Sequence, residues 1–420
     1  MRLSAVARRL MEDAAILIPR RTIFCLGLSQ LICWGVSYYL IGGFGEAIAA
    51  DFGWSRDAVY GGFSVALLVT GLSSPLVGRL VDRFGGRDVM AVGSLVLAIG
   101  CLSLAASRGL ASYYGAWIVL GLAMRLTLYD AAFAALARLG GPGAKRPISQ
   151  ITLLGGLAST VFWPIGGALA DYFGWRGAVI AYAGIALATI PLHLAIPRGR
   201  FGDRATSAPL DDRRPLAATR GDRVVAGALY ALIATMASIL NSGMSAHMIG
   251  ILAGLGLAAA AAVWIAALRG VGQSLSRLAE VLFGHKLDPL ALNLWATLLL
   301  PLGFVAGLFS NDYALAALFF AFCYGAGNGL LTITRGTMPL ILFDHRTYGA
   351  VVGRLLLPSF LVSAGAPLVF ALVIDHLGAS AAIYLSILLS VVMFLAAAVL
   401  FVRFRPPLRN LAPVRPMAAE

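Results

Sequence analysis

The chain alternates long apolar runs with short charged ones. Apolar runs of membrane-spanning length fall at 22–44, 57–77, 89–107, 110–137, 148–170 and 177–196, and again at 224–250, 253–279, 289–309, 313–341, 349–373 and 380–402. A hydrocarbon core is crossed by roughly 20 helical residues, so each run is long enough to span it. The runs exceed the roughly 9–11 residues of a barrel strand and lack its in-out alternation, which leaves the helix as the spanning element. The pattern predicts an all-α integral membrane protein with twelve transmembrane helices, embedded in a lipid bilayer.

Composition agrees with the pattern. The 420 residues are 60% hydrophobic and 12% charged, with a mean hydropathy of +0.87, against roughly 45–50% apolar and 25% charged in soluble domains. A net charge of +13 could suggest a nucleic-acid partner, but the basic residues fall in alternate connections. Arg79, Arg83 and Arg87 lie in one; Arg138, Lys145 and Arg146 in another; Arg198, Arg200, Arg213 and Arg214 in a central polar segment; Arg403, Arg405 and Arg409 in the tail. The positive-inside rule then places both termini and the central segment in the cytoplasm, and no nucleic-acid partner is expected. Cys25, Cys33, Cys101 and Cys323 sit inside apolar runs with no CxxC spacing, so no metal site or disulfide framework is implied. The basic start lacks a short apolar core followed by a cleavage site, so the first helix is expected to do the targeting.

The polar segment 197–223 divides the chain into a cytoplasmic N-terminal segment 1–21, six helices over 22–196, six over 224–402 and a cytoplasmic tail 403–420. The halves echo each other. ALADYFGWRGAVIAY in the first matches ALVIDHLGASAAIYL in the second, pairing Asp171 with Asp375 and Gly174 with Gly378, and Arg79-Leu80-Val81-Asp82 is echoed by Arg277-Leu278-Ala279-Glu280. Both offsets are about 200 residues, as duplication of a six-helix unit requires.

The stretch GRLVDRFGGRD, Gly78 to Asp88, carries five charges in eleven residues between two apolar runs. It resembles the signature loop between helices two and three of the major facilitator superfamily, with Gly78, Leu80, Asp82, Arg83, Gly85 and Arg87 matching and Gly86 standing where a basic residue is common. The second copy, SRLAEVLFGHK, is degenerate. DFGWSRD, LYDAAFAALARLGG, LADYFGWRGA and RGTMPLILFDHRTYGAVVGR are similar to the monocarboxylate and oxalate/formate branch and its bacterial relatives, and more faintly to bacterial exporters of arsenite. The resemblance implies two pseudo-symmetric six-helix halves that work by alternating access, a monomer, a bacterial inner membrane, and a central cavity lined by helices one, four, seven and ten. It also implies a gating role for Gly78, Asp82, Arg83, Gly85 and Arg87, with Asp82 reaching the other half when the carrier opens outward.

A charge inside a membrane helix costs about 2.5–3.5 kcal/mol on insertion scales, so such residues mark a pathway or pair with other groups. Arg125, Arg269, Arg335 and Arg354 lie within predicted spans, against one intramembrane acid, Asp130. Either they form a cationic site for an anion, or they pair with Asp130, Glu280, Asp344 or helix-end carbonyls. Arg269 and Arg354 match positions at which oxalate/formate-type carriers place cavity cations. Arg269, Gly272, Gln273, Ser276 and Glu280 form one stripe on helix eight. Trp34 and Tyr38 lie on a stripe of helix one with Gln30, Cys33 and Ser37. Asn328 lies on helix ten with Tyr324, Thr332 and Arg335, and Ser238, Asn241, Ser242 and Ser245 lie on helix seven. Arg125, Arg269, Arg335, Arg354, Gln273, Asn328, Trp34 and Tyr38 are the candidate substrate residues.

Coupling to a proton needs a group that changes charge within the membrane. Asp130 is the first candidate and His247 the second. On an unbroken helix Arg125 and Asp130 lie about 140° apart, a poor geometry for a pair, and Tyr129 shares the Arg125 face better. No P-loop or dinucleotide fingerprint is present, so neither an enzyme nor a bound cofactor is implied, and energy must come from a proton gradient or an exchanged anion. The expected activity is secondary transport of a small organic anion such as a monocarboxylate. The competing reading is proton-driven efflux of a drug, arsenite or antimonite, for which Cys33 offers a soft ligand.

Overall fold

The computed structural model describes residues 18–201, 215–283 and 288–405, and these are helical with short turns. Most of segments 1–21 and 403–420, and residues 202–214 of the central segment, lie outside the described residues. Helix α1 comprises Arg20–Cys33, a π-helical turn Trp34–Tyr38 and Leu40–Phe52. Then come α2 (Arg56–Phe84), α3 (Gly86–Ala105) and α4, which is broken into Leu110–Thr127 and Tyr129–Gly140. Helix α5 is Lys145–Gly155 continued by the first part of Ala158–Leu187; a kink at Gly174 starts α6, which ends with Ile190–Leu194. The second half holds α7 (Arg220–Gly254), α8 (Ala259–Phe283), α9 (Pro289–Gly307) and α10 (Ala314–Leu342). It closes with α11, made of Tyr348–Leu355 and Leu357–Leu377, and α12 (Ala379–Phe404).

Among the described residues ten helices are long and apolar enough to cross a membrane, and the arrangement is consistent with twelve spans. Helix α8 falls short because it carries Arg269, Gln273, Arg277 and Glu280, while the apolar stretches of α5 and α6 run together across Gly174. Large apolar side chains such as Leu72, Leu315 and Val402 stand outward, at 65%, 76% and 75% exposure, which suits lipid but not water.

The duplication read from the sequence is visible in the turns. Gly174 (φ 67, ψ 170) and Gly378 (φ 86, ψ 169) adopt one conformation, and Gly85 (φ 89, ψ 159) adopts it too. This positive-φ region is open to glycine and reverses the chain in a single residue. The stretch GRLVDRFGGRD is therefore not the loop expected from its charge. Gly78 to Phe84 are the last two turns of α2, the reversal is Gly85 alone, and α3 begins at Gly86. Hydropathy marks the edge of the hydrocarbon slab, and a helix continues past that edge into water without a break.

Each half packs mainly on itself: α3 and α2 on α4 in the first, and α9 and α8 on α10 and α7 on α11 and α12 in the second. The halves meet along α2 with α11 and along α5 with α8, the pairing that duplication relates by symmetry. The α2–α11 seam closes the basic face. A Cβ at Gly78 would lie 2.0 Å from the Gly349 carbonyl oxygen, and one at Gly353 would lie 2.5 Å from the Ser74 carbonyl oxygen, so the two backbones are in direct contact. Ser74 Oγ donates to the Gly353 carbonyl at 2.8 Å. The ends of the central segment add to the closure: Phe201 N donates to the Arg138 carbonyl at 2.8 Å, Arg200 to the Arg346 carbonyl at 2.8 Å, and Leu216 N to the Ile341 carbonyl at 3.0 Å.

Candidate functional site

Between the halves lies a cavity of about 1570 Å³. Its lining runs from Asp57 and Tyr60, at the start of α2 on the face opposite the basic one, inward to Arg277, Thr334 and Met338. The cavity therefore reaches the face opposite the closed seam.

One charged group of the cavity is built by the break in α4. Leu128 adopts φ −80, ψ −172, ending one helical segment at Thr127 and starting the next at Tyr129. The break frees the Thr127 carbonyl where no water can solvate it, and Gln30 Nε2 of α1 donates to that oxygen at 2.8 Å. Gln30 is completely buried. Asp130 now sits in the first turn of the second segment rather than 140° around a continuous helix from Arg125. Its Oδ2 accepts from Arg125 Nη1, and also from Arg335 Nη2 of α10 at 3.1 Å. The expectation that Arg125 and Asp130 are poorly placed to pair is thus corrected, and the reason is the helix break. Replacing Gln30 with Leu should cost about 1–3 kcal/mol for the stranded carbonyl. This would be read as a lower unfolding midpoint in detergent than for wild type, and an unchanged midpoint would show that the amide contributes nothing.

The other candidates fall on the same cavity or away from it. Arg269 Nη2 donates to Ser245 Oγ at 3.0 Å, and its guanidinium lies 5.5 Å over the Tyr324 ring. Gln273 and Asn328 line the cavity, with Asn328 Nδ2 donating to Asn241 Oδ1 at 3.1 Å. Trp34 and Tyr38 line the opposite wall with ring centroids 4.9 Å apart. His247 lies at the rim, where its Nε2 is 2.9 Å from the Pro367 carbonyl oxygen, a tie between α7 and α11. Arg354 does not join them. It is exposed, its Nε donates to the Ala350 carbonyl one turn back, and it is absent from the cavity wall. The face of α11 turned to α2 is fixed by Gly349 and Gly353, and Arg354, one residue on, points elsewhere. Cys33 is completely buried and also lies off the cavity wall.

Arg277, which in the sequence echoes Arg79, is a cavity arginine, 3% exposed. Its Nη1 donates to the Thr152 carbonyl and its Nη2 to Thr332 Oγ1, both at 3.2 Å. The signal was available, because Arg269, Gln273 and Arg277 stand at i, i+4 and i+8 on one face of α8. Gly155-Gly156 makes the room: a Cβ at Gly156 would lie 2.3 Å from Arg277 Nη1, and one at Gly155 would lie 2.4 Å from the Tyr129 hydroxyl.

Among the described residues four arginines thus face the cavity against two carboxylates, Asp130 and the exposed Asp57 at the mouth. Among the described residues no carboxylate pairs with Arg269 or Arg277, and the Nε atoms of Arg125, Arg277 and Arg335 have no protein partner. The arrangement can hold a negative charge in a low-dielectric site.

At the closed seam Asp82 Oδ1 accepts from Gly349 N at 3.0 Å and Oδ2 from Ala350 N at 2.7 Å, capping the start of α11 across the halves. The neighbouring motif arginines do not touch that cap. Arg83 lies over its own neighbour Phe84, and Arg87 lies beside Asp88, while Arg138 of α4 donates to the Asp82 carbonyl. In the second copy, Glu280 at the end of α8 is within electrostatic reach of Lys145 at the start of α5. The degenerate repeat keeps an acid facing the start of a helix in the other half.

A family model described as the Major Facilitator Superfamily matches residues 26–334. The chain belongs to the major facilitator superfamily. It is therefore a multi-pass membrane protein of a family of secondary transporters. Among curated relatives it is 31% identical to human monocarboxylate transporter 11 over 192 residues, 44% of this chain and 39% of that protein. It is 28% identical over 378 residues to an MFS-type efflux pump of Mycolicibacterium smegmatis, 79% of this chain and 83% of that one. The chain spans about two-fifths of the monocarboxylate transporter's length. Among solved structures it superposes on the human organic anion transporter MFSD10 with a TM-score of 0.67 at 19% identity, over 90% of this chain and 99% of that one. It superposes on the proton:xylose symporter XylE with a TM-score of 0.69 at 15% identity, over 92% and 95%. At those identities the superfamily transporter shares their fold and no more.

Proposed function

We propose that this carrier moves a small organic anion such as a monocarboxylate by alternating access, coupled to a proton. The observation that supports it is the excess of cavity arginines, with Arg269 and Arg277 lacking a carboxylate partner among the described residues. The basic face is taken as cytoplasmic under the positive-inside rule, so the open cavity faces outward. Asp82 then serves as the latch of the cytoplasmic seam.

The coupling follows from the Arg125–Asp130–Arg335 group, which ties α4 of one half to α10 of the other. Protonating Asp130 removes the counter-charge of both arginines and raises their affinity for an anion. An anion and a proton therefore load together, and binding should tighten as pH falls. With the tie loosened, the halves are free to exchange openings; when the anion leaves, Asp130 ionises and restores the tie.

The test is uptake of labelled carboxylates into proteoliposomes, with and without an inward pH gradient, on wild type and Arg269→Ala. Uptake by wild type should rise with the gradient, and the variant should lose at least about tenfold in uptake at low substrate, as removal of one charge-assisted contact implies. Unchanged uptake in the variant would remove Arg269 from the site. The second reading is efflux of a toxic compound, favoured by the alignment with an efflux pump over most of the chain. It predicts pumping of uncharged drugs that Arg269→Ala leaves intact. Transport of arsenite or antimonite would have to proceed without Cys33, since that thiol lies off the cavity wall.

A further inference from the structure

The two walls of the cavity differ in chemistry. Three of its four arginines, Arg269, Arg277 and Arg335, and the amides of Asn241, Gln273 and Asn328 come from the second half. The first half contributes most of the aromatic rings. Trp34 lies 5.0 Å from Tyr129 and 4.9 Å from Tyr38, and Tyr38 meets Phe63 edge-on at 5.1 Å, which makes one continuous aromatic surface. Among the described residues the second half lines the cavity with the rings of Tyr230, Phe360 and, at the rim, His247, and the Phe360 ring lies 5.9 Å beneath Arg125 and 5.2 Å beneath Arg335.

A backbone irregularity assembles the aromatic wall. Residues Trp34–Tyr38 form a π-helical turn, in which Tyr39 N donates to the Trp34 carbonyl at 3.1 Å. On a regular helix Tyr38 would share the Trp34 face and Tyr39 would turn about 140° away. The wider turn brings both onto it, and all three line the cavity, with Trp34 and Tyr39 centroids 6.1 Å apart. Such turns cost helix regularity and recur at functional sites. These rings are not core packing of the kind seen at Trp117 and Tyr113, which are completely buried; Trp34, Tyr38, Tyr39 and Phe63 keep part of their surface open. The walls are also close together, since Tyr38 lies within electrostatic reach of both Arg269 and Arg335. At about 1570 Å³ the cavity exceeds the roughly 300–1,000 Å³ of ordinary ligand sites, far more space than a three-carbon acid fills.

Resting on the anion reading above, we propose that the carried anion is an aryl carboxylate, its ring laid on the Trp34–Tyr38–Tyr39 wall and its carboxylate on the arginines of the second half. Ring contact and burial act on one end of such a ligand and charge on the other, so the two contributions separate in a ligand series.

The experiment measures binding of 3-phenylpropionate, lactate and the neutral 3-phenylpropionamide to the purified full-length protein in lipid nanodiscs. The aryl acid should bind at least about tenfold tighter than lactate, from burial of one ring, and at least about tenfold tighter than the amide. Trp34→Ala should narrow the aryl-to-lactate ratio by about 2–10-fold, and Tyr38→Leu should do so if the first variant does not fold. Lactate binding as tightly as 3-phenylpropionate would overturn the aryl assignment and leave the anion reading standing. An amide that binds as tightly as the acid would overturn the anion reading itself, and absence of binding by both acids would overturn the two together.

Discussion

Asp130→Asn is expected to fold into a less stable protein that responds more strongly to anions than wild type does and transports at least tenfold more slowly. Asp130 is the shared counter-charge of Arg125, which is 3% exposed, and Arg335, which is 28% exposed. Stripping one partner from a buried ion group costs about 3–5 kcal/mol, because the charge left behind is neither solvated nor paired. The asparagine keeps the shape and loses the charge, so the loss should appear as a lower unfolding midpoint without substrate. A bound carboxylate supplies the missing negative charge, so its stabilising shift should exceed the shift in wild type. Transport suffers for the same reason: nothing replaces the anion when it must leave, and binding no longer depends on pH. Equal midpoints and equal anion-induced shifts in the two proteins would show that Asp130 does not balance these arginines.

Gly78→Val is expected to abolish transport while leaving a folded protein. The added Cβ would meet the Gly349 carbonyl oxygen at 2.0 Å and its carbon at 2.5 Å, and both are backbone atoms of the other half with no rotamer to yield. Inside its own half, α2 needs no change, so the clash falls on the seam alone. The state seen here, open on the face opposite the basic one, should be depopulated in favour of the alternative opening. Asp82→Asn should act in the same direction more mildly, weakening two charge-assisted bonds to Gly349 and Ala350 without a steric block. The measurement is the labelling rate of a single cysteine placed at Tyr60, at the cavity mouth, in a background lacking the native cysteines. Labelling should slow in Gly78→Val relative to the parent. Undiminished labelling together with normal uptake would mean that the seam tolerates the side chain and does not gate.

Much of this protein was legible in its sequence, and the parts that were not share a cause. The number of helices, their order and the duplication follow from hydropathy and spacing, because the bilayer imposes one length and one solvent on every span. Candidate charges were legible too, since an arginine or aspartate inside an apolar run stands out whatever its neighbours. Their directions were not. The pairing of Arg125 with Asp130 depends on a break at Leu128 that no proline or glycine announces, made tolerable by an amide on a different helix. Arg354 stands beside Arg269 in the resemblance to oxalate/formate-type carriers, but the contact of Gly349 and Gly353 with α2 turns it away from the cavity. Arg277 was hidden in a repeat of a gating motif, although its spacing from Arg269 and Gln273 placed it on the same face.

The sequence by itself determined that this is a twelve-helix membrane protein of two related halves, with a charged segment at one face and cations within the spans. Only the tertiary structure decided which cations share a cavity, which acid they share, and that one wall is aromatic and the other cationic. The physical reason is that hydropathy is a property of each segment against its solvent. Helix rotation, breaks and wide turns are instead settled by which backbone groups and side chains on other segments satisfy them.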